Sequence, residues 1–292
     1  MRSIYKTGFW ISAMITIVSL MILVIYGLPL GVDFKGGSVM EVEFSGNQPT
    51  ASEIKTIIQD FGFLNNITVQ LSGESNAILR FSEIGEQDHQ QVLSKIVESF
   101  GEVQEQRFDS VGPVIGKDLK TKSVRALILV FFAIIIYIAL AFRKMASVLS
   151  PWAMGVAAIV ALLHDVLITG AVFSILGRFY GIEITAVFVA AALTILGYSV
   201  SDSVVVFDRI RENILRKGRS DFGEKVHVSV IQTLSRSINT SLTTILPLVA
   251  IYFFGGETIQ AFSLALIIGI ILGTYSSIFV ASPILIWLSK NR

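Results

Sequence analysis

The stretch "GYSVSDSVVVFDRIREN", Gly197 to Asn213, places Asp202 inside a run that is otherwise apolar, with "ITAVFVAAALTIL" before it and "SVVVF" after it. A carboxylate near the centre of a membrane-spanning helix costs roughly 2.5–3.5 kcal/mol on insertion scales. Counted back from Asp208, where the charges begin, Asp202 lies about six residues in, or about 9 Å at helical rise. Desolvation at that depth favours the uncharged form of a carboxyl group. The chemistry open to such a side chain is the gain and loss of a proton within the membrane. The competing role is structural, a carboxylate hydrogen-bonded to a neighbouring helix.

Other polar residues fall in similar runs. "LLHDVLI" puts His164 and Asp165 near the middle of an apolar segment. Adjacent residues on a helix point about 100° apart, so the two need not share a pocket. In "SRSINTSLTTILP", Arg236, Thr240, Thr243 and Thr244 share a helical face, and Thr243 comes level with Asp202 if Arg236 marks the inner boundary. Arg236 is long enough to point toward the interface or toward the carboxylate. Gly197, Ser199 and Ser201 keep one face of the Asp202 helix small, which allows close helix approach.

Three patterns fall short of an enzyme. "GPVIGKDL" is one residue short of a phosphate loop and has Asp118 where Ser or Thr would bind magnesium. "GYSVS" lacks the last glycine of a nucleophile turn, although Ser199 and His164 invite an intramembrane serine protease reading. Asp165 with Asp202 suggests an intramembrane aspartyl protease, but its GxGD motif is absent. The chain has no cysteine, and its three histidines are dispersed without metal-ligand spacing, so neither a metal nor another cofactor is expected.

The elements that must position these residues follow from hydropathy. Of 292 residues, 53% are apolar and 15% charged, with net charge +1 and mean hydropathy +0.70. No basic run points to nucleic acid. Six apolar segments approach the twenty or so residues a spanning helix needs: Phe9–Leu30, Val124–Phe142, Pro151–Leu176, Ile184–Phe207, Ile238–Phe254 and Phe262–Leu288. The first is too long for a cleaved leader and reads as a retained span. Basic residues collect on alternate loops: Arg2 and Lys6, Arg143 and Lys144, seven between Arg209 and Arg236, then Lys290 and Arg292. The positive-inside rule then puts both termini and a loop over 208–236 in the cytoplasm, and residues 31–122 outside.

Residues 31–122 carry soluble-domain patterning. "SVMEVEF" alternates as a strand, and "TASEIKTIIQDFGF" puts Ile54, Ile57, Ile58 and Phe61 on one helical face behind a Thr50–Glu53 capping box. "ITVQLS" and "NAILRFS" form a hairpin across "GESN". A second helix buries Val92, Leu93, Ile96, Val97 and Phe100 before Gly101, and "EVQEQRFDSV" alternates again. The order βαββαβ predicts a ferredoxin-like α+β domain inserted into a polytopic α-helical membrane protein.

"GYSVSDSVVVFDRIREN" resembles the fourth-span signature of the SecF-type members of the SecD/SecF protein-export family. "GVDFKGG" (Gly31–Gly37) resembles the motif that opens the external domain, with Lys35 where threonine is common. "VGPVIGKDL", "LLHDVLIT", "SINTSLTTIL" and "FGGETIQAFSLALIIG" resemble further segments in the same order. The resemblance implies an RND-type half-bundle of six spans that pairs with a SecD-like subunit beside the SecYEG channel, with YidC and YajC as further partners. It implies use of the proton motive force to drive or complete translocation of a preprotein in the bacterial plasma membrane, with no catalytic residues. It carries the family's span aspartate onto Asp202 and its fifth-span arginine onto Arg236, with Asp165, His164 and Thr243 as accompanying proton-path candidates. Asp33, Gly36, Gly37, Gly197, Asp208, Arg209, Arg211 and Glu212 fall on its motif positions. A proton-coupled small-molecule exporter of the RND type is the second reading, and an intramembrane protease the third.

Overall fold

The computed structural model of the chain describes residues 3–143, 150–217 and 221–290. Of the basic residues used for the topology, Arg2, Lys144, Arg219 and Arg292 lie outside these. The chain divides into two compact units, residues 30–124 and the remainder.

The larger unit is a helical bundle. Six helices are long and apolar enough to cross a membrane. They begin with α1 (Ser3–Tyr26), ended by Gly27 at φ +70°, and α5 (Pro113–Ala141), which belongs to this unit from Arg125. Then come α6 (Pro151–Tyr180), α7 (Ala186–Lys217) and α8 (Phe222–Phe254). The last starts as α9 (Glu257–Ser276), widens into a π turn at Ser277–Ala281 and continues as α10 (Ser282–Lys290). α6 is the interior helix; Ala157, Ala158, Ala161 and Leu162 are almost wholly buried. Its start is set by Ser150 before Pro151, whose fixed φ suits the first helical position. Small residues there let Phe142, Phe207 and Leu285 pack into one core.

Two boundaries differ from the sequence expectation. Residues 208–236 are no open loop: α7 runs ten residues past Phe207, and α8 starts fourteen residues before Arg236. Charge ends the apolar window, not the helix, because the charges pair at helical spacing. Arg211 Nη2 lies 2.7 Å from Asp208 Oδ1, Arg216 Nη2 3.0 Å from Glu212 Oε1, and Arg209 pairs with Glu212. Likewise α5 begins at Pro113 rather than Val124, so "GPVIGKDL" is mostly the first turns of a helix, with a Lys122–Asp118 pair at 2.8 Å.

The smaller unit opens with a helical turn, α2 (Val32–Lys35). It continues β1 (Gly37–Phe44), α3 (Ala51–Ile58), β2 (Thr68–Ser72), β3 (Asn76–Phe81), α4 (Glu86–Phe100) and β4 (Val103–Val111). The sheet is antiparallel in the order β2-β3-β1-β4. Met40 sits opposite Leu79 on one side and Phe108 on the other. Met40, Val42 and Phe44 bury one face of β1 against Ile54 and Ile58 of α3 and Val92 and Ile96 of α4. The Thr50–Glu53 capping box forms as the spacing predicts. Val97 departs from its expected place and is 40% exposed, while His89 is buried between Glu86 and Glu105 and stacks on Phe108. A soluble fragment of residues 36–112 should melt cooperatively with a mixed helix and strand spectrum. Leu79→Ala should lower its unfolding free energy by about 2–5 kcal/mol in denaturant titration; an unchanged midpoint would contradict this core.

Candidate functional site

The site is built on close approach of α7 and α9. Gly269 and Gly273 lie one turn apart on α9 and leave no room for a side chain. A Cβ on Gly269 would sit 2.3 Å from Ile195, and one on Gly273 would sit 2.9 Å from Ser199 Cβ. This is the small-xxx-small contact that lets membrane helices touch through their backbones. It sets Ser199, and Asp202 one turn further along α7, against the end of α9, with α6 behind them.

Asp165 on α6 is fully buried. Its Oδ1 lies 2.9 Å from His164 Nδ1, and its Oδ2 accepts from Ser199 Oγ at 2.6 Å and Ser276 Oγ at 2.8 Å. His164 is also buried, stacks on Tyr275 with ring centroids 6.1 Å apart, and has no partner at Nε2. Adjacent His and Asp thus share one pocket.

Asp202 on α7 is half-buried. Its Oδ1 accepts from Ser237 of α8 and its Oδ2 from Ser277 Oγ at 2.6 Å. Beside it, Tyr198 donates to Ser241 Oγ at 3.1 Å, and Ser241 bonds Thr274. Four helices therefore meet around two carboxylates answered chiefly by hydroxyls. A hydroxyl can donate to an ionised carboxylate, or rotate and accept from a protonated one. The chemistry open to such a site is uptake or release of a proton with little movement of heavy atoms. A guanidinium in the same place would hold the carboxylate ionised.

Two expected site residues are not in this cluster. Arg236 is exposed, and Thr243 is exposed with its hydroxyl on the carbonyls of Asn239 and Thr240. Ser237 and Ser241 form the buried face of α8, one residue out of phase with the expected one. Both faces of that helix carry hydroxyls, so the sequence did not say which faced inward. Gly197 is also exposed, and a Cβ there would meet nothing within 4 Å, so closeness comes from the α9 glycines instead. Ser276 and Ser277 escape sequence reasoning because serine in an apolar segment leaves little trace in hydropathy; their only signal is the "TYSS" run, one turn beyond the α9 glycines.

The remaining motif positions lie elsewhere. Arg209 Nε donates to Gln232 Oε1 at 2.7 Å and Asn213 to Ser229 Oγ at 2.8 Å, so the charged part of α7 clamps α8. Asp33 lies in α2, and Gly36 and Gly37, at φ +81° and +127°, turn the chain into β1. A Cβ on Gly36 would sit 2.8 Å from Pro113 Cα, so this turn admits only glycine. The Ser–His pair of a serine protease is not formed: Ser199 donates to the Asp165 carboxylate rather than to His164. Among the described residues, no three His, Asp or Glu side chains cluster as a metal site would.

Residues 91–291 match the family model of the C-terminal part of SecD/SecF protein export membrane proteins, and residues 22–47 match the SecD/SecF GG motif. Protein translocase subunit SecF of Thermobaculum terrenum is 43% identical, over 96% of this chain and 91% of that protein. The SecF subunit of Haemophilus influenzae is 37% identical, over 96% and 82%. The crystal structure of SecDF, a translocon-associated membrane protein from Thermus thermophilus, superposes with TM-score 0.83 at 31% identity. That match covers 99% of this chain, which spans 38% of the SecDF chain. A super-membrane-facing form of SecDF gives TM-score 0.67 at the same identity.

The two glycine environments predict opposite signs. Gly273→Ala should destabilise the detergent-solubilised protein by about 1–3 kcal/mol through overpacking against Ser199. Gly197→Ala should leave it unchanged or raise stability by up to about 1 kcal/mol through helix propensity. Thermal unfolding of both variants checks this, and equal melting points would contradict the α7–α9 contact.

Proposed function

The chain belongs to the SecD/SecF family of protein-export membrane proteins, and from that membership we infer that it acts as the SecF subunit of the Sec translocase. Beside a SecD-like subunit it uses the proton motive force to drive or complete preprotein translocation through SecYEG, with YidC and YajC as further partners. The observation that carries the proton-coupling reading is Asp202, a half-buried carboxylate between the hydroxyls of Ser237 and Ser277 in apolar helices. One elementary charge crossing 100 mV releases about 2.3 kcal/mol. That is comparable to the hydrogen bonds that charging and discharging a carboxylate rearranges.

Arg236 and Thr243 enter this reading differently from Asp202. They lie with Ser235, Asn239 and Thr240 on an exposed polar stripe of α8. Such a stripe is costly against lipid and suits the helices of a SecD-like partner. Asp165 and His164 form the inner, secondary group of the proton path. The smaller unit is read as ferredoxin-like and extracytoplasmic: its order βαββαβ, the sheet order β2-β3-β1-β4 and two helices on one face support the first. The basic residues on the α7–α8 connection, which favour the cytoplasm, support the second.

Cysteines at Glu74 and Leu215 should label from opposite sides of the membrane; labelling from one side would overturn the orientation. Asp202→Asn keeps size and hydrogen bonding but removes titration. Its product should insert and co-purify with the SecD-like subunit, yet lose gradient-dependent export in vesicles, while Asp165→Asn should be milder. Full export by Asp202→Asn would leave the carboxylate a structural role only.

A further inference from the structure

Ser276 and Ser277 are consecutive, yet their hydroxyls serve different carboxylates. Ser276 donates to Asp165 and Ser277 to Asp202. The switch occurs where the helix changes from α to π. Ser277 O closes the wide turn by accepting both the backbone N–H and the hydroxyl of Ser282, the latter at 2.8 Å. Single π turns within helices concentrate at functional sites.

Each of the two serines has a second acceptor in reach. Ser276 Oγ lies 3.2 Å from Gly273 O, and Ser277 Oγ lies 2.9 Å from Thr274 O. When a carboxylate takes up a proton, one of its oxygens becomes an O–H that must donate, and a serine facing that oxygen must stop donating there. The carbonyl one turn back can then receive the serine hydroxyl. Both rearrangements fall on neighbouring residues of one turn.

We propose that Ser276 and Ser277 are positioning residues that couple Asp165 and Asp202 into one proton-holding unit, so that proton occupancy of either is felt by the other through the π turn. This rests on the reading that Asp202 exchanges a proton. The groups facing Asp165 are His164 on α6, Ser199 on α7 and Ser276; those facing Asp202 are Ser237 on α8 and Ser277, with exposed Arg236 next to Ser237. Ser276 has no hydrogen bond to Asp202, so an effect of Ser276 on Asp202 reports coupling rather than direct contact.

The test is infrared difference spectroscopy of the full complex in liposomes, titrated with pH. The protonated-carboxyl band of Asp202 is assigned by its loss in Asp202→Asn. Ser276→Ala and Asp165→Asn should each move the midpoint of that band by about one pH unit, the size of an ordinary coupling free energy between two sites. Ser276→Thr should restore it. Ser263→Ala, at a buried serine of the same helix that bonds the Ile259 carbonyl, should leave it in place. If the midpoint stays fixed in both Ser276→Ala and Asp165→Asn, the coupling is overturned while proton exchange at Asp202 stands. If no Asp202 band appears at any pH, the proton reading itself falls, and the coupling with it.

Discussion

A carboxylate held among apolar helices must have its oxygens answered by donors. The helix backbones cannot supply them, because their N–H groups are already bonded within each helix. The donors here are hydroxyls from neighbouring helices: Ser199 and Ser276 for Asp165, Ser237 and Ser277 for Asp202. Serine is short, so its helix must come close. Gly269 and Gly273 strip α9 of side chains where it meets α7, and the alanines of α6 let that helix occupy the middle of the bundle. The packing of the four central helices thus follows from the need to answer two carboxylates.

The same hydroxyls set this site apart from a structural ion pair. An arginine facing Asp202 would fix its charge. Arg236 instead stays on the exposed face of α8, and the Arg, Asp and Glu residues near the C-terminal end of α7 pair with one another and with α8. The hydrogen bonds to Asp202 come from Ser237 and Ser277, with no guanidinium among them. The π turn at Ser277 then presents two successive hydroxyls to two separate sites, which a regular helix would turn about 100° apart.

Much of this was legible in the residue order. Asp202 and Asp165 stood out because charge is conspicuous in apolar runs, and the strands and helices of residues 37–111 followed from alternation and capping. The phase of α8 was not legible, because Arg236, Thr240 and Thr243 offered as good a polar face as Ser237 and Ser241. The length of α7 was hidden because its charges end an apolar window while their pairing sustains the helix. The π turn has no sequence signature, and the serines inside it scarcely alter hydropathy. Buried His89 was equally silent: its place depends on Glu86, Glu105 and Phe108, which only the tertiary fold brings around it.

The central claim is that Asp202 carries a proton that moves with the gradient. The most direct measurement is proton flux into liposomes that hold the purified complex with its SecD-like partner, followed with an internal pH-sensitive dye under an imposed gradient. The account predicts flux through the wild-type complex and its loss in Asp202→Asn at equal incorporation. Undiminished flux through the Asp202→Asn complex would contradict it.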